Sequence, residues 1–257
     1  YICGVRYFLI ISYCGTKYHG WQRQPNCLSI QQTIEDAISI ILKEKILLVS
    51  AGRTDTGVHA INMYAHFDAN INEEIESNLV NLLNRFLDYS ISIKKIIRVV
   101  DNAHARFDAI SRTYIYKISF SKDPFKHERC FELKKNINFD KIKKASEILL
   151  VHKDFKSFSK TRSDVTNYIC DISRADWTFQ DNLAEFKITA NRFLRNMVRA
   201  IVGTLIEVGK NKISIEEFNK VIIQRDRGKA GFSVPASGLY LLDVEYPEHI
   251  FLKNEKK

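Results

Sequence analysis

Hydrophobic and polar residues alternate along several short segments of the first hundred positions. Val5, Tyr7, Leu9 and Ile11 recur with the two-residue period of a β-strand. Apolar residues then recur at helical spacing after Ser29, where the stretch SIQQ has the form of a capping box. The same reasoning predicts a helix capped by Asn72 and further strands at 46–50, 63–68 and 91–100. The predicted order is βαββαβ, a split βαβ arrangement with a mainly antiparallel sheet.

The second half of the chain repeats this order of elements, without a clear repeat of its residues. Strands are predicted at 113–119, 169–179, 185–190 and 239–246. Helices are predicted at 192–208, after Asp140 and after Ser214, which opens a second capping box. The sequence therefore predicts an α+β protein of two related βαββαβ-like domains, 1–103 and 104–257. We expect mainly antiparallel sheets, helices packed on one face and a basic cleft between the domains.

The composition is that of a globular protein with a strong positive charge. The chain has 257 residues, of which 45% are hydrophobic and 27% charged, and its formal net charge is +9. This surplus favours a polyanionic partner, nucleic acid before an acidic membrane, although some basic proteins bind neither. No apolar run approaches the roughly 20 residues of a spanning helix, and no export signal is evident, so we expect no membrane association. Five dispersed cysteines argue against a disulfide framework and indicate the cytoplasm.

Sequence motifs of cofactor and metal chemistry are missing. The chain has no glycine-rich phosphate loop, dinucleotide fingerprint, G-x-S-x-G elbow or H-E-x-x-H motif. Its seven histidines show no metal-ligand spacing. We therefore expect chemistry on a polyanion without cofactor or metal, or binding alone.

The stretch AGRTDTGVHA, residues 51–60, surrounds Asp55 with small and polar residues. Glycine permits positive φ and a close backbone approach, and threonine can bond the local backbone. The residues of these types are Gly52, Gly57, Thr54 and Thr56. Asp55 is then either part of a plain turn or a carboxylate held in a fixed direction for catalysis. His59 is either a base or a core histidine, and the core role is favoured.

A second cluster is the stretch ARFDAISRTYIYKIS. It interleaves Arg106 and Arg112 with Phe107, Tyr114 and Tyr116. Basic and aromatic side chains on one sheet region can neutralise phosphates and stack on bases. The alternative is an amphipathic strand with solvated arginines.

The stretch NRFLRNMVRAIVGTLIEVG, residues 191–209, has the pattern of a strongly apolar helix. Arg192, Arg195 and Arg199 are spaced to share one helical face. Arg199 lies deepest in the apolar run, and a buried arginine needs an anion. That anion is a structural carboxylate, a phosphate or a catalytic aspartate. Gly203, one turn further on, would allow a close neighbour over that face.

Two loops complete the candidate nucleic-acid surface. The stretch YHGWQRQP carries Trp21, Gln22 and Arg23, which suit base stacking and phosphate contact, or else a packed aromatic loop. The stretch KDFKSFSKTRSD, residues 153–164, is basic and serine-rich. It is either a loop that contacts a nucleic-acid backbone or a solvated loop.

These motifs, in this order, closely resemble the tRNA pseudouridine synthase A family. The resemblance covers nearly the whole chain and rests on RYFLIISYCGTKYHGWQRQP, AGRTDTGVHA, ARFDAISRTYIY, KDFKSFSK, NRFLRNMVRAIVGTLIEVG and GLYLLDVEY. It implies isomerisation of uridine to pseudouridine in the anticodon stem-loop region of tRNA, without metal or cofactor. It also implies a homodimer bridged by the tRNA.

The resemblance also assigns residues by their motif positions. Asp55 matches the essential aspartate of the family, and Arg53 matches the arginine of the same loop. Tyr114 matches the active-site tyrosine, and Arg199 the arginine that pairs with the aspartate. The remaining candidates for RNA contact are Trp21, Gln22, Arg23, Arg106, Arg112, Arg192 and Arg195.

The implied reaction explains why a single carboxylate is useful. The target base must leave the stack, at a cost of a few kcal/mol. Breaking the glycosidic bond then builds positive charge on the ribose. An ionised Asp55 can stabilise this charge, attack C1′ or take a 2′ proton, and the sequence leaves these routes open. A guanidinium from Arg199 would keep the carboxylate ionised in a dry pocket.

Two other classes of protein fit parts of the sequence. An RNA-binding protein or RNA chaperone without catalysis would use the basic surface but would need no fixed aspartate opposite a buried arginine. A phosphodiester-cleaving enzyme would need a histidine pair or a metal cluster, and neither is evident in the sequence.

Overall fold

The structure is a computed structural model that describes residues 4–134, 136–161 and 165–252. Contacts among the described residues divide the chain into two compact units, Tyr1–Ile110 with Leu241–Lys257, and Ser111–Tyr240. The sequence predicted the domains 1–103 and 104–257. This predicted boundary lies a few residues before Ile110, and the prediction assigned the last strand to the second domain. The chain after Tyr240 instead returns to the first unit.

Strands and helices alternate along both units. Within the described residues the strands are β1 (Val5–Tyr13), β2 (Val49–Ser50), β3 (His59–Ala69), β4 (Ile91–Arg98), β5 (Ser111–Ser119), β6 (Phe131–Glu132), β7 (Ile172–Gln180), β8 (Leu183–Ala190) and β9 (Leu239–Glu245). The α-helices there are α1 (Ile30–Leu42), α2 (Glu73–Phe86), α3 (Phe139–Ile148), α4 (Met197–Gly209) and α5 (Ile215–Gln224). None of these helices is long and apolar enough to cross a membrane.

The first unit has the predicted βαββαβ order. Its strands lie in the order β4-β1-β3-β9, and β2 pairs with β3. β1 is antiparallel to both β3 and β4, and β2 is antiparallel to β3. Ser29 caps α1 by accepting from the Gln32 N–H, and Asn72 caps α2 by accepting from the Ile75 N–H. The α+β class with mainly antiparallel strands is therefore confirmed. β2 is shorter than the predicted strand 46–50.

The middle of β1 is buried on both faces. Tyr7 and Leu9 are at most 1% exposed, on the face that their alternation predicts. Phe8 points to the opposite face and is 0% exposed. The ring of Tyr246 lies 5.2 Å from the Phe8 ring and that of Phe251 lies 6.3 Å from it. This aromatic cover explains why the segment that follows β9 belongs with the first unit.

His66 in β3 is a buried histidine of the first unit. His66 is 5% exposed, and its Nδ1 accepts a hydrogen bond from the Ala105 N–H at 3.1 Å. Burial is the main cause that lowers the pKa of His66 to about 4. The positive charge of Arg6 and the ring of His104 lower it further, while two nearby carboxylates oppose them.

We expect the protein to lose stability as the pH falls from about 6.5 to about 4. In this window the unfolded chain protonates His66 and the folded chain does not, so acid favours unfolding by on the order of 1–3 kcal/mol. His66→Asn keeps an acceptor for the Ala105 N–H and removes the titration. Its urea unfolding curves should depend less on pH than those of the wild type or of His127→Asn, which alters an exposed histidine. Equal pH dependence in all three would contradict the assignment.

In the second unit, strands β5, β8 and β7 pair side by side and antiparallel, and helices α3 to α5 belong to the same unit. The short strand β6, which the sequence did not predict, pairs with β5 in parallel. The predicted cap of α3 is wrong. The helix begins one residue before Asp140, and Asn138 caps it by accepting from the Lys141 N–H. The second predicted capping box is present, with reciprocal bonds between Ser214 and Glu217.

Helix α4 begins later than predicted. The sequence placed its start at Arg192, but the first helical residue is Met197. Asn196 has φ 69°, in the left-handed region, and a right-handed helix cannot continue through it. Arg192 and Arg195 therefore lie outside the helix. The prediction that both share a helical face with Arg199 is wrong.

Candidate active site

The Asp55 loop joins β2 to β3. Within it, the Val58 N–H donates to the Asp55 carbonyl at 3.1 Å, and Gly57 has φ 78°. This is the geometry of a tight turn with glycine at its third position, as in type II turns. The predicted use of Gly57 is thus confirmed. Gly52 is different, because its φ lies outside the positive region and a Cβ added there would meet nothing within 4 Å.

Thr54 anchors the loop to the strand and loop that precede it. Its hydroxyl is 2.8 Å from the Tyr13 hydroxyl, and its carbonyl accepts from the Trp21 N–H at 3.1 Å. The sequence predicted a bond from Thr54 to the local backbone, whereas the observed partner is a distant tyrosine. Asp55, which follows directly, is half-buried, and Arg53 is exposed. The carboxylate of Asp55 therefore follows directly after Thr54, a buried residue that is held by two hydrogen bonds.

Two close backbone contacts further restrain the loop. A Cβ on Gly20, which has φ 84°, would lie 2.5 Å from the Thr54 carbonyl oxygen. A Cβ on Gly15 would lie 2.0 Å from the carbonyl oxygen of Val58. His59 is 1% exposed, and its Nδ1 accepts from the Gly15 N–H at 3.1 Å. The core role favoured for His59 is the one that this contact supports.

The segment 18–25 contributes one buried and two exposed candidates. Trp21 is 2% exposed and packs 6.1 Å from the Tyr13 ring, which leaves little surface for stacking on a base. This burial favours the packed aromatic loop for Trp21. Gln22 and Arg23 are exposed.

Arg23 already has carboxylate partners. Its guanidinium lies 3.3 Å from Glu35 and 3.5 Å from Asp36. Glu35 is 2% exposed and also accepts from the Leu48 N–H at 2.9 Å. Sequence reasoning overlooked Glu35, because it lies beside the apolar stripe of α1 rather than within it, and the helical pattern therefore gave no signal of its burial.

Tyr114 lies in β5 of the second unit. It is half-buried, and its ring meets the Phe193 ring edge-to-face at 5.1 Å. Arg112 shares its side of the strand and donates to the Asn191 carbonyl at 2.9 Å. Tyr116 is buried, burial raises its pKa, and its hydroxyl donates to the Pro235 carbonyl, so it belongs to the core.

The basic and aromatic residues of the stretch ARFDAISRTYIYKIS do not share one strand. Arg106 precedes β5 and is grouped with the first unit. It is exposed, and its guanidinium lies 5.8 Å from the centre of the Phe107 ring. Phe107 is 75% exposed, so this pair offers a flat surface to solvent.

Arg199 lies in the first turn of α4 and is half-buried. Its Nε donates to the Val234 carbonyl at 2.7 Å, and the Val234 N–H donates back to the Arg199 carbonyl at 3.2 Å. The expected close neighbour of Gly203 is present, because a Cβ there would lie 1.8 Å from the carbonyl oxygen of Phe232. The pairing of Arg199 with Asp55 stays a prediction.

Arg192 and Arg195 lie in the segment that leads from β8 to α4. Arg192 is half-buried and Arg195 is exposed. The Lys160 N–H donates to the Arg195 carbonyl at 3.0 Å, which joins the basic loop 153–164 to this segment. Residues 162–164 of that loop lie outside the described residues.

Comparison with known proteins places these features in one family. A model of the tRNA pseudouridine synthase family matches residues 9–108 and 145–247. The tRNA pseudouridine synthase A of Parabacteroides distasonis is 49% identical over 249 residues, which cover 96% of this chain and 98% of that protein. The chain belongs to the tRNA pseudouridine synthase family. The proteins of the same name from Bacteroides fragilis and Acetivibrio thermocellus are 47% and 39% identical, over 96% and 93% of this chain and 98% of their own lengths.

Membership of the tRNA pseudouridine synthase family confirms the resemblance drawn from the motifs and makes the chain an isomerase. The first matched segment contains the Asp55 loop, and the second contains α4 with Arg199. Tyr114 and Arg112 fall between the two matched segments. Their roles therefore rest on the motif resemblance and on the local geometry.

Proposed function

We propose that this isomerase converts uridine to pseudouridine in the anticodon stem-loop region of tRNA, with Asp55 as its essential carboxylate. The observation that carries the proposal is the construction of the Asp55 loop. A glycine turn, the bonds of Thr54 and the close approach of Gly20 hold in place the backbone that carries the half-buried carboxylate of Asp55. Fixed geometry of this kind is what a catalytic group needs.

In the proposed reaction the base stays in the site throughout. The bond from ribose C1′ to uracil N1 breaks, the uracil turns, and C1′ bonds to C5. The proton on C5 is lost, and N1 gains a proton, so the reaction is a balanced isomerisation without an oxidant or a cofactor. Asp55 stabilises the cationic ribose, attacks C1′ or takes the 2′ proton. A closed pocket excludes water, which would otherwise release free uracil.

The other active-site residues support the carboxylate and the base. Arg199 is the proposed partner of the Asp55 carboxylate and is itself oriented by its bond to Val234. Tyr114 stacks on the uracil and helps to remove the C5 proton. Arg53, which is exposed, fills the space left by the flipped base or holds a phosphate.

Polar and basic side chains supply the contacts with the rest of the tRNA. The proposed RNA-contacting residues are Gln22, Arg23, Arg106, Arg112, Arg192 and Arg195, with Trp21 shaping the loop of the first two. The net charge of +9 favours this partner. We also propose a homodimer, which sedimentation of the protein with and without tRNA would test; a monomer in both would refute it.

The experiment that tests the function is release of tritium from tRNA labelled at uridine C5, with a chelator present. The wild type is expected to release tritium to water and to leave pseudouridine, mapped by position in the tRNA. Tight binding of a mixed pool of cellular tRNAs without release would favour the alternative, an RNA-binding protein or RNA chaperone without catalysis. Release that the chelator abolishes would show that the reaction needs a metal.

Tyr114→Phe separates the two proposed roles of the tyrosine. The variant keeps a ring for stacking and loses the hydroxyl, so we expect tRNA affinity to hold while turnover falls about 10²-fold, as for loss of a general acid–base group. Single-turnover tritium release and filter binding measure the two quantities. Full turnover in the variant would remove the proton-transfer role and leave stacking.

A further inference from the structure

Residues 230–235, here called the strap, lie across helix α4 in the second unit. The strap and α4 exchange the two bonds between Arg199 and Val234 described above. The Gly231 N–H adds a bond to the Thr204 hydroxyl at 2.9 Å. Because the Val234 carbonyl accepts from Nε, the position of the strap contributes to the orientation of the Arg199 guanidinium.

The Arg227 side chain donates hydrogen bonds to several residues of the strap. Its Nη1 donates to the carbonyls of Ala230 at 3.3 Å and Gly231 at 3.1 Å. Its Nη2 donates to the Ser233 hydroxyl at 2.9 Å. A guanidinium can serve several acceptors in one plane, whereas a single ammonium cannot reproduce this fork.

The same hydroxyl connects the strap to the start of α4. Ser233 Oγ accepts from Nδ2 of Asn196, the left-handed residue that precedes the helix, at 2.7 Å. Arg227 and Asn196 therefore both donate hydrogen bonds to the Ser233 hydroxyl and hold this residue in place. Val234 follows directly in the chain and is 0% exposed, so its carbonyl is fixed by the anchored residue before it.

We propose that Arg227 is a positioning residue for Arg199, acting through the strap. This inference rests on the proposed function, in which Arg199 supports Asp55. Without Arg227, two strap carbonyls and the Ser233 hydroxyl lose a charged donor. The Val234 carbonyl is then held less firmly, by the bonds from Asn196 and α4 alone. A displacement of about 1 Å in a catalytic group can cost about 10²-fold in rate.

The kinetic test compares two arginines that are two positions apart. Arg227→Met is expected to lower kcat about 10- to 100-fold, with KM for tRNA changed less than about 3-fold. Arg225→Met removes the same charge from a residue whose ion-pair partner is Asp154 at 2.9 Å, and its kcat should stay near that of the wild type. Equal kcat for the two variants would overturn the proposal, as would a loss in Arg227→Met that lies entirely in KM.

A double variant tests whether the effect passes through Arg199. Arg199→Lys lacks the Nε–H that bonds Val234, so adding Arg227→Met should change its kcat less than about 2-fold. A role of Arg227 in folding or in direct RNA contact would instead lower kcat by the same factor in both backgrounds. That additive result would overturn the proposal.

The closing experiment follows the Arg199 side chain without any turnover. Its Nε–H signal in nitrogen-edited NMR spectra, identified by its loss in Arg199→Lys, should exchange slowly with water in the wild type and in Arg225→Met. Arg227→Met should speed this exchange at least about tenfold, and Arg227→Lys, the variant that keeps the charge, should lie between them. Unchanged exchange in both Arg227 variants would overturn the role of Arg227. A wild type that makes no pseudouridine would refute the proposed function alone.

Discussion

Replacing Asp55 by asparagine is expected to abolish tritium release from uridine-labelled tRNA while tRNA binding persists. Asparagine has nearly the shape of aspartate, and the turn survives because the backbone carbonyl of residue 55 accepts the Val58 N–H. The variant loses the negative charge and exchanges one acceptor oxygen for an NH2 donor. Loss of an essential catalytic group lowers kcat by on the order of 10⁴-fold or more, and we expect a loss of that size here.

A matched control for this substitution lies in the β7–β8 hairpin. Asp181 is exposed and has φ 51°, a conformation that asparagine tolerates as well as aspartate. Asp181→Asn should therefore fold, bind tRNA and turn over like the wild type. Single-turnover tritium release and filter binding compare the three proteins. Equal release by Asp55→Asn and Asp181→Asn would move the chemistry to another residue.

Replacing Gly203 by alanine is expected to displace the strap from α4. The new Cβ would lie 1.8 Å from the Phe232 carbonyl oxygen, which is backbone and cannot rotate away as a side chain would. Overpacking of this kind costs about 1–3 kcal/mol, which should outweigh the gain of about 1 kcal/mol in helix propensity. A displaced strap also breaks the bond from Arg199 to Val234, so we expect kcat to fall about 10- to 100-fold.

Gly209→Ala in the same helix is the control for Gly203→Ala. Its Cβ would lie 2.5 Å from Cγ2 of Ile137 and from Cδ1 of Ile142, which are side-chain atoms, whereas Gly203 faces backbone. Gly209 also lies six residues further along α4, about 9 Å along the axis. We expect Gly209→Ala to lose some stability in urea unfolding and to keep its kcat. A Gly203→Ala protein as stable and as active as the wild type would contradict the tight packing of the strap.

The regular elements of this protein were largely predictable because their signals are local. Asn72 and Ser214 cap helices where the sequence placed them. The start of α4 was not predictable in the same way, since apolar residues continue at helical spacing through the point where Asn196 turns left-handed. Asparagine tolerates that conformation without demanding it. The cap of α3 was misplaced because Asn138 and Asp140 are both good capping residues.

The candidate site was predictable as a set of motifs and not as a set of contacts. The quoted motifs pointed to Asp55 and Arg199, and the positive φ of Gly57 in the turn was correctly predicted. The bond between Thr54 and Tyr13 spans 41 residues, so no local pattern announces it. Arg227 escaped notice for a different reason. Its acceptors lie within six residues, but two of them are backbone carbonyls, which every residue type supplies and no sequence pattern marks.

The return of the chain to its first unit constrains the order in which the protein can fold during synthesis. β9 lies beside β3, and Tyr246 and Phe251 cover Phe8, yet these residues leave the ribosome only after the whole second unit. Until then the early strands carry an unpaired edge and an uncovered aromatic face, both of which favour aggregation. The second unit is continuous in sequence, so it can fold before the last strand of the first unit has been synthesised.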